Sequence, residues 1–229
     1  MPNFLRLIVL LGVLIAAVAS PAAAQPASPR VLESLRTHFP EDHSALAARL
    51  AGQSPEAARL MLAEALEKFQ QERLQAILAA PGARLIAIEA RHGALLRALQ
   101  ARDMRLCAVV GDRGFFSREA RAGPAPEGLD DYAIALIEAA AAGRGRAAPR
   151  PAAKEDFQAW LVELERRDPS VPVRFMLQDR ELRRSSSDEH LCVGAALMHE
   201  AAAALPPEQA ARVAATLIRS VIGAGMAAP

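Results

Sequence analysis

The sequence predicts an all-α protein, a helical bundle of eight or nine amphipathic helices carrying one disulfide behind a signal peptide, and three observations carry that expectation. Alanine fills 52 of the 229 positions, whereas aromatic residues make up only 4%. Alanine is the best helix former, and strands draw on the β-branched and aromatic side chains that are scarce here. Apolar residues also return at three- and four-residue spacing along one segment after another, punctuated by Ser, Asp, Pro and Gly where helices start and stop.

The chain opens with one basic residue, Arg6, before the apolar run Leu7 to Ala19, and then Ala22-Ala23-Ala24-Gln25. A short basic region, an apolar core and an Ala-x-Ala end are the parts of a cleavable secretory signal over residues 1–24. Thirteen helical residues rise about 20 Å, short of the roughly 30 Å hydrocarbon core of a bilayer. The competing reading is an uncleaved anchor. Once the signal is removed, no later run is apolar enough for stable membrane insertion. Residues 25–30 read as a disordered leader and 31–223 as the helical domain, with possible halves at 31–111 and 128–223. Residues 224–229 read as a frayed tail.

The helices follow in order. One covers Val31 to His38 and stops at Pro40; another runs from Glu41 to Ala51, with Gly52 able to take positive φ. Ser54-Pro55-Glu56 supplies an N-cap, a proline at the first helical position and a favourable dipole charge for a helix to Ala80. Arg84 to Arg102 forms the next, and Asp103 caps a short helix closed by Gly111. Residues 111–128 are rich in Gly and Pro and read as irregular. Helices then cover Leu129 to Ala142, Asp156 to Arg167, a short one over Val173 to Arg183, a strong one from Ser187 or Asp188 to Leu205, and a last one from Pro206 to Gly223.

Loss of Arg6 with the signal leaves 26 basic and 26 acidic residues in the remaining 205, so the exported chain is formally neutral. Without a net field it has little to draw it to phosphate backbones or anionic lipid, which disfavours nucleic acid as a partner. The Ala- and Arg-rich composition points to a bacterial periplasm, with secretion as the alternative.

Cys107 and Cys192 are the only cysteines. An even count in an exported chain favours pairing, and each follows an Asp at the same offset, in Asp103-Met-Arg-Leu-Cys107 and Asp188-Glu-His-Leu-Cys192. A disulfide joining two helix starts is the leading reading. Unpaired thiols and a reactive thiol at a helix N-terminus are the alternatives.

No motif for a cofactor or a catalytic site stands out, so neither a cofactor nor catalytic residues are assigned. The five histidines show no helical ligand pair; Cys192, Met198 and His199 form a weak alternative set for a soft metal. The loop Asp112 to Arg121 holds Phe115 and Phe116 flanked by Arg113, Arg118 and Arg121, and is the candidate partner contact. Its Phe pair either faces a partner or folds back into the core. The leading expectation is a non-enzymatic interaction module that binds another envelope protein, in an undetermined oligomeric state. A cell-wall hydrolase using an unidentified carboxylate and a metal-responsive helical protein are the alternatives.

Overall fold

The computed structural model describes residues 28–121, 123, 125–170 and 185–226. Among these the chain forms eleven helices and no strand. They are α1 (Pro29–His38), α2 (Pro40–Leu50), α3 (Pro55–Glu72), α4 (Leu74–Leu78), α5 (Gly82–Gln100), α6 (Met104–Arg113), α7 (Arg118–Arg121), α8 (Leu129–Gly143), α9 (Lys154–Arg167), α10 (Asp188–Ala204) and α11 (Pro207–Met226). None of the described helices is long and apolar enough to cross a membrane. The signal segment, the start of the leader and the helix expected over 173–183 lie outside the described residues.

The predicted caps form as hydrogen bonds. Ser54 Oγ accepts the Ala57 N–H at 3.3 Å, Asp103 Oδ1 accepts from Leu106 at 2.9 Å, and Ser187 Oγ accepts from His190 at 3.2 Å. Four boundaries differ from expectation, each for a local reason. Residues 28–30 belong to the start of α1 rather than to the leader, because Ser28 caps α1 through Val31 and donates its hydroxyl to Asp130 at 2.6 Å. The long third helix breaks at Arg73, which leaves helical geometry at φ −100° and ψ 9° and pairs with Asp42 at 3.1 Å. That break turns the short α4 onto α8. Next, α6 runs past Gly111 to Arg113 and stops at Gly114, whose φ of 85° suits only glycine. Lastly, α11 continues through Gly223 to Met226, so residues 224–226 belong to a helix rather than to a frayed tail.

One apolar cluster extends from Val31 to Ile222, so elements from both expected halves share a core. Helix α5 lies at its centre, packed against α10, α11, α8 and α6. A smaller cluster around Trp160, Leu164, Leu197, Val213 and Leu217 joins α9, α10 and α11. Beside it the buried Asp156 accepts both Arg212 nitrogens at 2.8 Å and the Ala153 N–H at 2.9 Å. The Arg212 guanidinium above all holds the Asp156 carboxyl down to about 2.

Small residues set how closely the helices approach. Gly194, Ala195, Ala196, Ala201 and Ala202 are all buried on α10. A methyl group on Gly111 would come within 2.6 Å of the Ala195 Cβ, and one on Gly143 within 1.9 Å of the Ala76 carbonyl oxygen. The alanine content thus serves packing distance as well as helix propensity. Cys107 and Cys192 are bonded, with Cα atoms 5.1 Å apart, and join α6 to α10 across 85 positions of sequence.

Two outcomes follow for stability. Replacing both cysteines by serine should lower the free energy of unfolding in urea by about 2–5 kcal/mol, and an unchanged midpoint would show the bond to be idle. Gly143→Ala, whose new methyl meets backbone that cannot rotate away, should cost about 3 kcal/mol or more by the same measurement, at the upper end of overpacking penalties.

Candidate functional site

A cleft of about 690 Å³ lies between α3, α6, α8 and the segment linking α6 to α8. Leu62, Ala63 and Leu66 of α3 form one wall; Leu106 and Val110 of α6 and Leu129 and Ala133 of α8 form the others. Phe115 and Phe116 lie at its base, 6% and 1% exposed. Apolar spacing on each helix accounts for the walls, since the residues named on each stand one helical turn apart.

The rim is charged, and its charges pair with one another. Arg59 takes both oxygens of Glu56 at 2.7 and 3.1 Å and donates to the carbonyls of Gly123 and Arg121 at 3.3 and 3.2 Å. This single guanidinium ties Arg121 and Gly123 to α3. Arg121 lies 3.0 Å from Glu67, an ion pair without hydrogen-bond geometry at that nitrogen. Arg30 meets Asp131 at 2.6 Å. The cleft therefore offers greasy walls and a rim whose cations already face carboxylates.

The candidate contact is rebuilt by this arrangement. Phe115 and Phe116 do not face solvent as a pair; they are buried as the floor of the cleft. Gly114 makes the turn that drives them inward, and the buried Ser117 closes it by donating to the Gly114 carbonyl at 3.0 Å. The three arginines do not converge. Arg113 pairs with Asp112 and Glu119, Arg121 belongs to the cleft rim, and Arg118 is exposed at the start of α7.

The metal alternative also dissolves. The Cys192 sulfur is consumed by the disulfide, so it cannot be a thiolate ligand. The Met198 carbonyl accepts the Trp160 indole N–H at 3.0 Å, and His199 turns to Glu89. Among the described residues no group of three or more His, Cys, Asp or Glu side chains is arranged to hold a metal ion.

Behind the cleft floor lies a polar cluster that the sequence reading did not assemble. Glu89 and His92 of α5, Tyr132 of α8 and His199 of α10 are all buried within otherwise apolar packing. The Glu89 carboxylate meets His199 Nδ1 at 2.6 Å. The imidazoles of His199 and His92 stack with centroids 3.7 Å apart and planes 12° apart. The His92 ring then touches Phe115 at 4.9 Å and Tyr132 at 5.3 Å between centroids. Glu89 Oε1 and His92 Nε2 make no hydrogen bond to any described residue. Burial, reinforced by the neighbouring His199, pushes His92 well below the ordinary histidine range and keeps it neutral near pH 7. Burial, with the Glu89 charge, pushes the Tyr132 hydroxyl far up, so it stays protonated.

The signal for this cluster was present in the spacing. His92 stands four residues after Ile88 and four before Leu96, on the apolar face of α5, and Glu89 lies one turn before it. His199 stands seven after Cys192, on the same side of α10.

The fold and the cleft define a class: a disulfide-stapled helical bundle with an apolar pocket. Comparison of the chain with protein-family models, with characterised proteins and with solved structures finds no match.

The neutral His92 carries a pH consequence. In the unfolded chain it takes a proton as pH falls through about 6.5, whereas the native ring resists until well below that. Its contribution to stability is whole above about pH 6.5 and is lost on acidification at up to about 1.4 kcal/mol per pH unit. Urea midpoints measured across this range should therefore fall more steeply for the native chain than for His92→Leu. Parallel profiles would refute the assignment.

Proposed function

We propose that this protein is an exported, non-enzymatic binding module of the bacterial envelope, and that its cleft seats an apolar segment of a partner protein. The observation that carries the reading is the cleft itself: apolar walls ending on Phe115 and Phe116, under a rim whose arginines are spent on carboxylates. Among the described rim residues Arg30, Arg59 and Arg121 each face a carboxylate, which does not favour selection of an anionic ligand. Recognition then falls to shape and to removal of apolar surface from water, at about 1.5–3 kcal/mol for each large aliphatic or aromatic side chain buried. A partner helix presenting such side chains at three- and four-residue spacing meets this demand.

Export is supported by the tripartite N-terminal sequence and by the disulfide, a bond that persists in oxidising compartments. The hydrolase alternative asks for a buried, hydrogen-bonded carboxylate inside a cleft. Glu89 satisfies the first half only, since it does not line this cleft and cannot reach a substrate there. No reaction is assigned.

A photoreactive side chain at the exposed rim residue Ala125, which lines the cleft, tests the reading in envelope extract. It should yield a discrete protein adduct, and one placed at the exposed Val162 on α9 should not. Ala63→Trp, which fills the cleft from α3, should lower the yield by about tenfold, corresponding to about 1.4 kcal/mol of affinity. Equal yields from positions 125 and 162, or insensitivity to Ala63→Trp, would refute the reading.

A further inference from the structure

The cleft and the buried polar cluster share one side chain. Phe115 presents one side to the cleft and packs its ring on His92, which stacks on His199, which holds Glu89. We propose that this Phe115–His92–His199–Glu89 stack is a proton-operated gate, in which protonation of His92 displaces Phe115 and weakens binding of the apolar occupant. The inference rests on the cleft reading above and adds its regulation.

Two imidazole rings at 3.7 Å can stack while His92 is neutral, but a proton on His92 enters buried packing in which the Glu89 carboxylate already meets His199 Nδ1 at 2.6 Å. A desolvated cation in such packing is costly, so the protonated ring leaves its seat. Packed interiors shift between discrete arrangements rather than deforming smoothly. The His92 ring stacks on His199 and also packs against the rings of Phe115 and Tyr132. Moving away from His199 drives it against the two rings, and Phe115 is the one that forms cleft wall.

No other described charge intervenes. The titratable groups facing His92 are Glu89 from α5, His199 from α10 and Tyr132 from α8, and the loop contributes only Phe115. Glu200, next along α10, turns to Arg97 at 2.7 Å. On α6 Arg105 and Arg113 are exposed and Asp112 pairs with Arg113; on α11 Glu208 and Arg219 are exposed and Arg212 pairs with Asp156. On α8 Asp130 and Asp131 bond Ser28 and Arg30, and Glu138 pairs with Arg84. The burial that keeps His92 neutral near pH 7 agrees with this geometry.

The test uses protein purified from cells expressing the full chain, with the uncharged fluorophore N-phenyl-1-naphthylamine as the apolar probe. Its Kd should weaken by about fivefold or more between about pH 7.5 and about pH 4.5, while near-ultraviolet circular dichroism shows retained packing. In His92→Leu the same interval should change Kd by less than about twofold. By reciprocity, saturating probe should lower the titration midpoint of the His92 ring followed by NMR in the unaltered chain, a readout that survives even if the variant fails to fold. A Kd independent of pH, or a midpoint unmoved by probe, overturns the gate while leaving the cleft as a binding site. Probe binding that Ala63→Trp does not weaken overturns the cleft reading, and the gate with it.

Discussion

The seam where α5, α6 and α10 meet is held covalently by Cys107–Cys192 and sterically by the small residues around it, and the positions of the remaining helices follow from it. The Cys107 sulfur also lies 3.2 Å from the Leu96 carbonyl, so the bond sits against α5 as well as between α6 and α10. Gly93 meets Glu200 and Ala196, and Gly111 meets Ala195 and the Leu191 carbonyl, at distances where a larger side chain would force the axes apart. A chain with few aromatic residues gains less from each buried side chain. It compensates by bringing helices close, which multiplies weak dispersion contacts, and by a cross-link that restricts the unfolded ensemble across a long loop.

Close packing at the seam has an opposite face. Helices α6 and α10 are drawn together on one side, while on the other α3 faces α6 and α8 across the cleft and Arg59 ties Arg121 and Gly123 to it. The cleft opens there. Its apolar lining is what remains of helix faces that would otherwise have closed on one another. The same seam places polar groups at unusual depth. Glu89 and His92 share a face of α5 with Leu85, Ile88 and Leu96, and when α10 closes on that face His199 is carried to Glu89. A buried carboxylate is tolerated only with a partner, and the short contact with His199 supplies it.

Much of the fold was legible because helix signals are local. Ser54-Pro55, Asp103 and Ser187 announce helix starts whatever surrounds them, and all three cap as the sequence predicts. The cysteine pairing was legible from parity and context. What escaped were features decided by distant neighbours. Gly111 looks like a helix terminator in sequence, yet it lies inside α6 because α10 needs the space above it. Arg73 has no breaking character of its own; its pairing with Asp42 and its position over Phe39 come from α1 and α2. The polar cluster was half legible. Comparing His199 with His190 separates them around α10, whereas comparing it with the buried Cys192 would have turned it inward.

The Phe115-Phe116 pair shows why residue type alone did not place the site. Adjacent aromatic residues in a Gly-rich loop are compatible with either a surface contact or a plug, and the side they take depends on the backbone that delivers them. Gly114, with its positive φ, reverses the chain at the end of α6, and the Ser117 hydroxyl fixes the reversal from the far side. Both rings are thereby directed under the loop rather than over it. There they separate an apolar cavity from a set of buried ionisable groups, with Phe115 against His92 and both rings against Tyr132. A side chain in that position is in mechanical contact with both compartments. It is this shared wall, rather than the loop's arginines, that joins the cleft to the buried polar cluster.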